Sequence, residues 1–152
     1  MNVFSLHFAF VASTFLAILC TPRAAPAAEP AAPDQAILSL IRAADYEKAF
    51  AAASELEKEC TGDPTSRLLK AEALLKLNRS NDALSAADSA IELDPNLLCA
   101  RVYKVAALLL LQRNTDARLA DADARKISPR SAGDFFCRGA LNRVNSRFDA
   151  AI

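Results

Sequence analysis

Three Asp-Pro or Ser-Pro pairs recur along the chain at Asp63-Pro64, Asp94-Pro95 and Ser128-Pro129. Pro95 and Pro129 lie 34 residues apart, Pro64 and Pro95 31. An Asp or Ser side chain caps the orphan N–H groups of a starting helix, and proline suits the first helical position, where no N–H is needed. Each pair therefore reads as a helix start. Small residues keep the longer interval: Ala83 and Ala117 are 34 apart, as are Ala90 and Ala124, and Ala71 precedes Val105 and Gly139 in the same register. Stepping from Ala83 backwards reaches Ala49, and from Ala117 forwards Ala151. A small side chain at one point per helix lets antiparallel neighbours approach closely, and a fixed period stacks such pairs into an array.

Composition agrees. The 152 residues include only 3 Gly and no Trp, and Ala, Leu and charged residues dominate. That mixture favours helix over a sheet-rich fold full of tight turns. With 18 basic and 18 acidic residues there is no basic excess of the kind a nucleic-acid binder carries. The spacing predicts eight helical segments at 34–43, 45–60, 64–77, 80–92, 95–112, 115–127, 129–143 and 146–152. The first repeat reads as irregular, with Thr61 and Gly62 as extra residues, and Asn142 fills a slot that is apolar at Leu74 and Leu108.

The stretch AEALLKLNRSNDALSAADSAIELDPN, within 70–96, resembles a tetratricopeptide repeat. Asp45-Tyr46-Glu47-Lys48-Ala49 and Arg147-Phe148-Asp149-Ala150-Ala151-Ile152 are similar to the start of that family's second helix. The resemblance covers about 34–152 and implies an all-α, right-handed solenoid of antiparallel helix pairs, with three repeats and an incomplete fourth. A seven-residue last helix at 146–152 cannot cover its partner's apolar face, which is the expectation for a fragment of a longer repeat protein or for an end covered by another subunit.

Ahead of the array, residues 3–20 are apolar apart from Ser5, His7, Ser13 and Thr14. Ala25 and Ala27 supply the small residues of a peptidase site, so 1–27 reads as a signal peptide cleaved after Ala27, with 28–33 an Ala/Pro-rich linker. The alternative is a retained N-terminal anchor, since about 18 apolar residues suffice to span a bilayer. Leu19 occupies the place where lipidation at Cys20 requires a small residue. Either reading exports the mature part, to the endoplasmic reticulum lumen, the exterior or a bacterial periplasm, and associates it with a membrane only if the segment is uncleaved.

His7 is the only histidine, so cleavage removes the commonest general base and metal ligand. Cys60, Cys99 and Cys137 form no CxxC and are expected to be unpaired apolar fillers, at different levels of successive helix pairs. Asp116, Asp121 and Asp123, interleaved with Arg118 and Arg125, read as a solvated helix face rather than a cation loop. No catalytic, cofactor-binding or metal-binding set is proposed, and the chain reads as a non-enzymatic binding protein.

The resemblance implies a concave groove lined by the first helix of each pair. Its candidates are Leu68, Glu72 and Leu75, then Val102, Tyr103, Ala106 and Leu109, then Phe136, Ala140 and Arg143. Glu72, Ala106 and Ala140 stand where relatives that clamp acidic chaperone tails carry Asn, so that mode is disfavoured. An apolar groove centred on Tyr103 and Phe136 fits an amphipathic helix or extended apolar segment, although periodicity alone does not separate groove from core. The expectation is a scaffold or chaperone-like adaptor for unfolded or apolar client segments. The alternative is an anchored or periplasmic subunit organising a stable complex. Residues 136–142 and Arg147-Phe148-Asp149 are also similar to repeats in lumenal co-chaperones that carry a J domain, although no His-Pro-Asp motif is present.

Overall fold

The computed structural model describes residues 33–149, with side chains described to 143. The apolar segment and most of the linker lie outside the described residues, as does Ala151. Among the described residues there are seven α-helices and no strand: α1 (Pro33–Arg42), α2 (Tyr46–Glu59), α3 (Pro64–Lys76), α4 (Ser80–Leu93), α5 (Leu98–Leu110), α6 (Asn114–Arg125) and α7 (Ala132–Asp149). None of them is long and apolar enough to cross a membrane.

The 34-residue interval is kept by the backbone more strictly than by the prolines. α2, α4 and α6 begin at Tyr46, Ser80 and Asn114, and α3, α5 and α7 at Pro64, Leu98 and Ala132, each 34 residues after the last. Within each pair the turn has one geometry. Ala44, Asn78 and Gln112 have φ of 60°, 59° and 59°, the left-handed conformation that ends a helix. The next residue's N–H reaches back five residues: Asp45 to the Leu40 carbonyl (3.0 Å), Arg79 to Leu74 (2.9 Å) and Arg113 to Leu108 (2.9 Å). These bonds satisfy carbonyls that a helix end leaves orphaned.

The proline pairs, in contrast, are not equivalent. Only Pro64 occupies the first turn of a helix, behind Asp63, whose carboxylate accepts from the Thr65 N–H at 2.9 Å. Asp94 instead accepts from the Asn96 N–H at 2.9 Å and closes a turn, and α5 starts only at Leu98. α7 starts after Ser131, whose hydroxyl accepts from the Asp134 N–H while Asp134 accepts from the Ser131 N–H, both at 3.1 Å. This reciprocal capping box replaces the expected start at Pro129. The 31-residue first interval was thus a comparison of unlike positions, and Thr61 and Gly62 are not extra: four residues separate α2 from α3 and α4 from α5.

The core runs in three clusters, each drawn from three successive helices. Ile37 and Ile41 of α1 meet Ala49, Ala53, Leu69 and Ala73 of α2 and α3. Ala71 and Leu74 of α3 meet Ala83, Ala86 and Ala87 of α4 and Ala107 of α5. Leu98, Cys99, Val102 and Val105 of α5 meet Ala124 of α6 and Cys137 and Leu141 of α7. Ala49, Ala83 and Ala117 are all fully buried at the same repeat position. Neighbouring helices pack along one another from α1 to α6, and the alternate helices α1, α3, α5 and α7 also touch in succession.

Two expectations fail at the C-terminal end. The eighth helix is absent from the described residues, because α7 continues through the place where a turn was expected. The α3–α4 hairpin folds its second helix back over buried Leu74, which meets Ala83 and Ala87, and Leu108 is buried at the same position of the next pair. Asn142, exposed, offers no such anchor. Cys99 and Cys137, expected to be unpaired, form a disulfide with their Cα atoms 5.3 Å apart. Cys137 sits four residues, one helical turn, beyond Gly133, the repeat equivalent of Cys99, and the Cys99 sulfur lies 3.5 Å from the Gly133 carbonyl oxygen. A one-turn difference in repeat position therefore does not keep the two sulfurs apart. Cys60 is exposed and free.

The left-handed turn residues carry a cost, since a side chain at positive φ is strained by about 1 kcal/mol. Gln112→Val should lower unfolding free energy by about 1–2 kcal/mol, because a β-branched residue resists that conformation, whereas Gln112→Gly should not lower it. Chemical denaturation of both variants measures the contrast, and equal effects would refute the turn geometry.

Candidate interaction surfaces

The ten groove candidates separate into three environments. Val102 is buried, and Leu68, Leu109 and Ala140 pack against its cluster. Leu75 and Tyr103 pack against the middle cluster, Tyr103 bridging from α5 to α3. Burial, reinforced by the nearby Glu72 carboxylate, pushes the Tyr103 phenol well above the usual tyrosine range. Ala106 is half-buried, and Arg143 is exposed. Phe136 is 71% exposed. Tyr103 and Phe136 are thus unlike: one braces two helices, the other presents an aromatic ring to solvent. Sequence reasoning passed over Phe135, which is 66% exposed beside it; the signal available was two adjacent phenylalanines in an otherwise polar stretch.

A second feature was not read from the sequence. Two clefts of about 300 Å³ open between successive second helices, which do not pack on each other directly. They are the same cleft one repeat apart. Lys70, Leu74, Arg79 and Asp82 line the first, and Lys104, Leu108, Arg113 and Asp116 the second. The cations are met within the fold: Lys70 pairs with Glu57 at 2.8 Å, Lys104 with Asp88 at 2.7 Å, and Arg79 and Arg113 with Asp82 and Asp116 at 2.7 Å. Lys70 and Arg79 also lie 5.9 and 5.0 Å from the Phe50 ring centre. With their charges answered internally, the clefts tie successive helices together.

The acidic run on α6 also departs from expectation. Asp116 and Asp123 are at the surface, but Asp121 is buried at 8% exposure and accepts from Arg125 at 2.8 Å. It holds the repeat position of Ala53 and Ala87, both fully buried. Among the described residues no three His, Cys, Asp or Glu side chains gather at one point.

No protein-family model matches the chain, and no curated protein matches it.

Two titrations probe these contacts. Lys70, the nearest donor, and then Arg67 hold the Glu57 carboxyl below its ordinary value of 4.5. A lowered carboxyl stabilises the fold above its unfolded value and loses that contribution as pH falls through the folded one. The stability deficit of Glu57→Gln, measured by denaturation across pH, should therefore be full near neutrality and shrink below pH 4.5. At this partly exposed site it should be about 1 kcal/mol at most. Tyr103 runs the other way: the fold favours its neutral phenol, so that contribution is full below pH 10.0 and is lost as pH rises further. In a Tyr46→Phe variant the folded protein should show no phenolate absorbance through pH 11, about one unit above the ordinary value; a normal rise would contradict the burial of this ring.

Proposed function

We propose that the chain is a non-enzymatic protein-binding scaffold of tetratricopeptide type, acting in an exported compartment and holding apolar segments of other proteins. The observation that carries this is the 34-residue recurrence of one turn, at Ala44, Asn78 and Gln112, between helices that start in strict register. Helix pairs repeated in this way can present a continuous binding surface that no single pair possesses. The succession of contacts among α1, α3, α5 and α7 supports a right-handed solenoid with these helices lining its inner side. Phe135 and Phe136 add an exposed aromatic pair near the start of α7, and large contiguous exposed apolar patches mark interaction sites in soluble proteins.

Export rests on the apolar run at 3–20 and gains support from the Cys99–Cys137 bond, since disulfides persist in oxidising compartments. N-terminal sequencing of the mature protein separates a free scaffold, starting at Ala28, from an anchored subunit that keeps residue 1.

The groove is tested with a fluorescent amphipathic peptide and a reduced, unfolded client. Phe135→Ala/Phe136→Ala should weaken binding of both by at least tenfold, about 1.4 kcal/mol, with unfolding unchanged because neither ring is buried. Tyr103→Ala is a control that loses stability first. Undiminished binding by the double variant would exclude this groove.

A further inference from the structure

We propose that the Cys99–Cys137 disulfide is a redox-operated latch that holds α7 over the apolar strip of α5, so that reduction releases α7 while the preceding helices stay folded.

Among its described side chains, 132–143, α7 buries few. α3 buries five residues and α5 seven, whereas among the described side chains of α7 only Cys137 and Leu141 are buried. One of those two is the disulfide itself. The deficit is written position by position in the repeat. Where Ala71 and Val105 fill the interior, α7 has Gly139, and a methyl group built there would meet only the Arg143 guanidinium, at 3.9 Å. Where Leu74 and Leu108 are buried, α7 has the exposed Asn142.

The surface that should receive α7 from the other side is altered too. Ala53 and Ala87 give α2 and α4 a small apolar contact with the clusters that continue into α3 and α5. α6 has the acid Asp121 there, paired with Arg125. In keeping with this, α2 packs along α3 and α4 along α5, but α6 does not pack along α7. What joins α6 and α7 is a small apolar contact, Ala124 in the cluster with Cys137 and Leu141, and a polar set: Arg125 reaches Asn142 at 3.4 Å, and Arg138 donates to the carbonyls of Ala124 and Ile127 at the end of α6. The polar contacts exchange readily with water, whereas a covalent bond does not. α7 is therefore fixed chiefly through α5, and at Cys99.

The chemistry is ordinary thiol–disulfide exchange. A thiolate of a dithiol reductant attacks the sulfur of Cys99, which lies in the first turn of α5 and is the more exposed of the two at 9% against 4%. The Cys137 thiolate leaves and is protonated. The second thiol of the reductant then displaces Cys99, so the protein gains two thiols and the reductant becomes a disulfide. Once α7 is off, the cluster of Leu98, Val102 and Val105 loses Cys137 and Leu141 from its packing. That these residues then bind apolar segments rests on the function proposed above; the latch itself does not.

Hydrogen exchange on the full chain, in a Cys60→Ser background that removes the free thiol, tests the latch. Adding dithiothreitol should cost the amides of 132–143 at least 100-fold in protection while those of α2 to α4 change by less than twofold. Cys99→Ala/Cys137→Ala should exchange fast in α7 with or without reductant. Unchanged protection of α7 on reduction overturns the latch, as does loss of protection throughout α2 to α4. A hydrophobic dye added to the same samples reads the uncovered strip. If α7 is released and the dye responds but the amphipathic peptide binds no better, the latch stands and the groove reading fails for this strip.

Discussion

Everything in this fold depends on how closely two antiparallel helices can approach at one point per repeat. Ala49, Ala83 and Ala117 occupy that point and are fully buried. A methyl side chain contributes little hydrophobic free energy of its own, so its value lies in what it permits: the neighbouring helix comes near enough for longer side chains above and below to interlock. Each contact is then repeated by the turn that precedes it. Ala44, Asn78 and Gln112 set the same left-handed reversal, and the second helix leaves every turn in the same direction. Enlarging the alanine would force the pair apart, at a typical overpacking cost of about 1–3 kcal/mol. That disturbance would pass to the next pair, because every core cluster draws on three successive helices.

How much of this could be read from sequence depended on whether a residue's role is local. The alanine period was legible because close approach tolerates almost nothing else. The helical pairs followed, with all seven of the described starts placed within three residues. The proline pairs misled because Asp-Pro suits both a helix start, as at Pro64, and a turn ahead of one, as at Pro95; only the backbone distinguishes them. Gln112 and Ala44 gave no sign of their positive φ, since glycine is the residue that announces it. The disulfide was illegible for a different reason. It depends on the Cys99 side chain meeting a residue one turn past its repeat equivalent, and period arithmetic carries no information on that reach. Among the groove candidates, sequence could name the face but could not separate Val102, which is buried, from Phe136, which is 71% exposed.

The charged residues fall into two groups with different consequences. Most pairs are local, three residues apart and exposed, such as Lys48 with Asp45 and Lys126 with Asp123. Pairs of that kind contribute little to stability. Those joining successive helices do more. Glu57 draws Arg67 and Lys70 of α3 onto α2, and Asp88 draws Lys104 of α5 onto α4. They recur because the repeat presents the same gap twice, between second helices that diverge. The clefts thus record a geometric need, and a ligand drawn to their lysines and arginines would first have to displace partners already within 3.2 Å.

At α7 the period survives in the helix start and fails in the side chains. Ala132 begins on schedule, but Gly139, Asn142 and, opposite them, Asp121 replace the residues that make the earlier junctions apolar. A helix in register with poor cohesion could be lost at little cost, and the fold retains it by other means: a capping box at Ser131 and Asp134, Arg138 on the carbonyls of α6, and a bond between sulfurs. The first two hold direction, since they fix where the helix starts and which way it leaves α6. Only the third holds distance, because two sulfurs joined across α5 and α7 cannot separate however weakly the surrounding side chains attract. Among the described side chains the covalent bond therefore stands where few residues are buried, and the exposed rings of Phe135 and Phe136 are carried on the helix that it joins to α5.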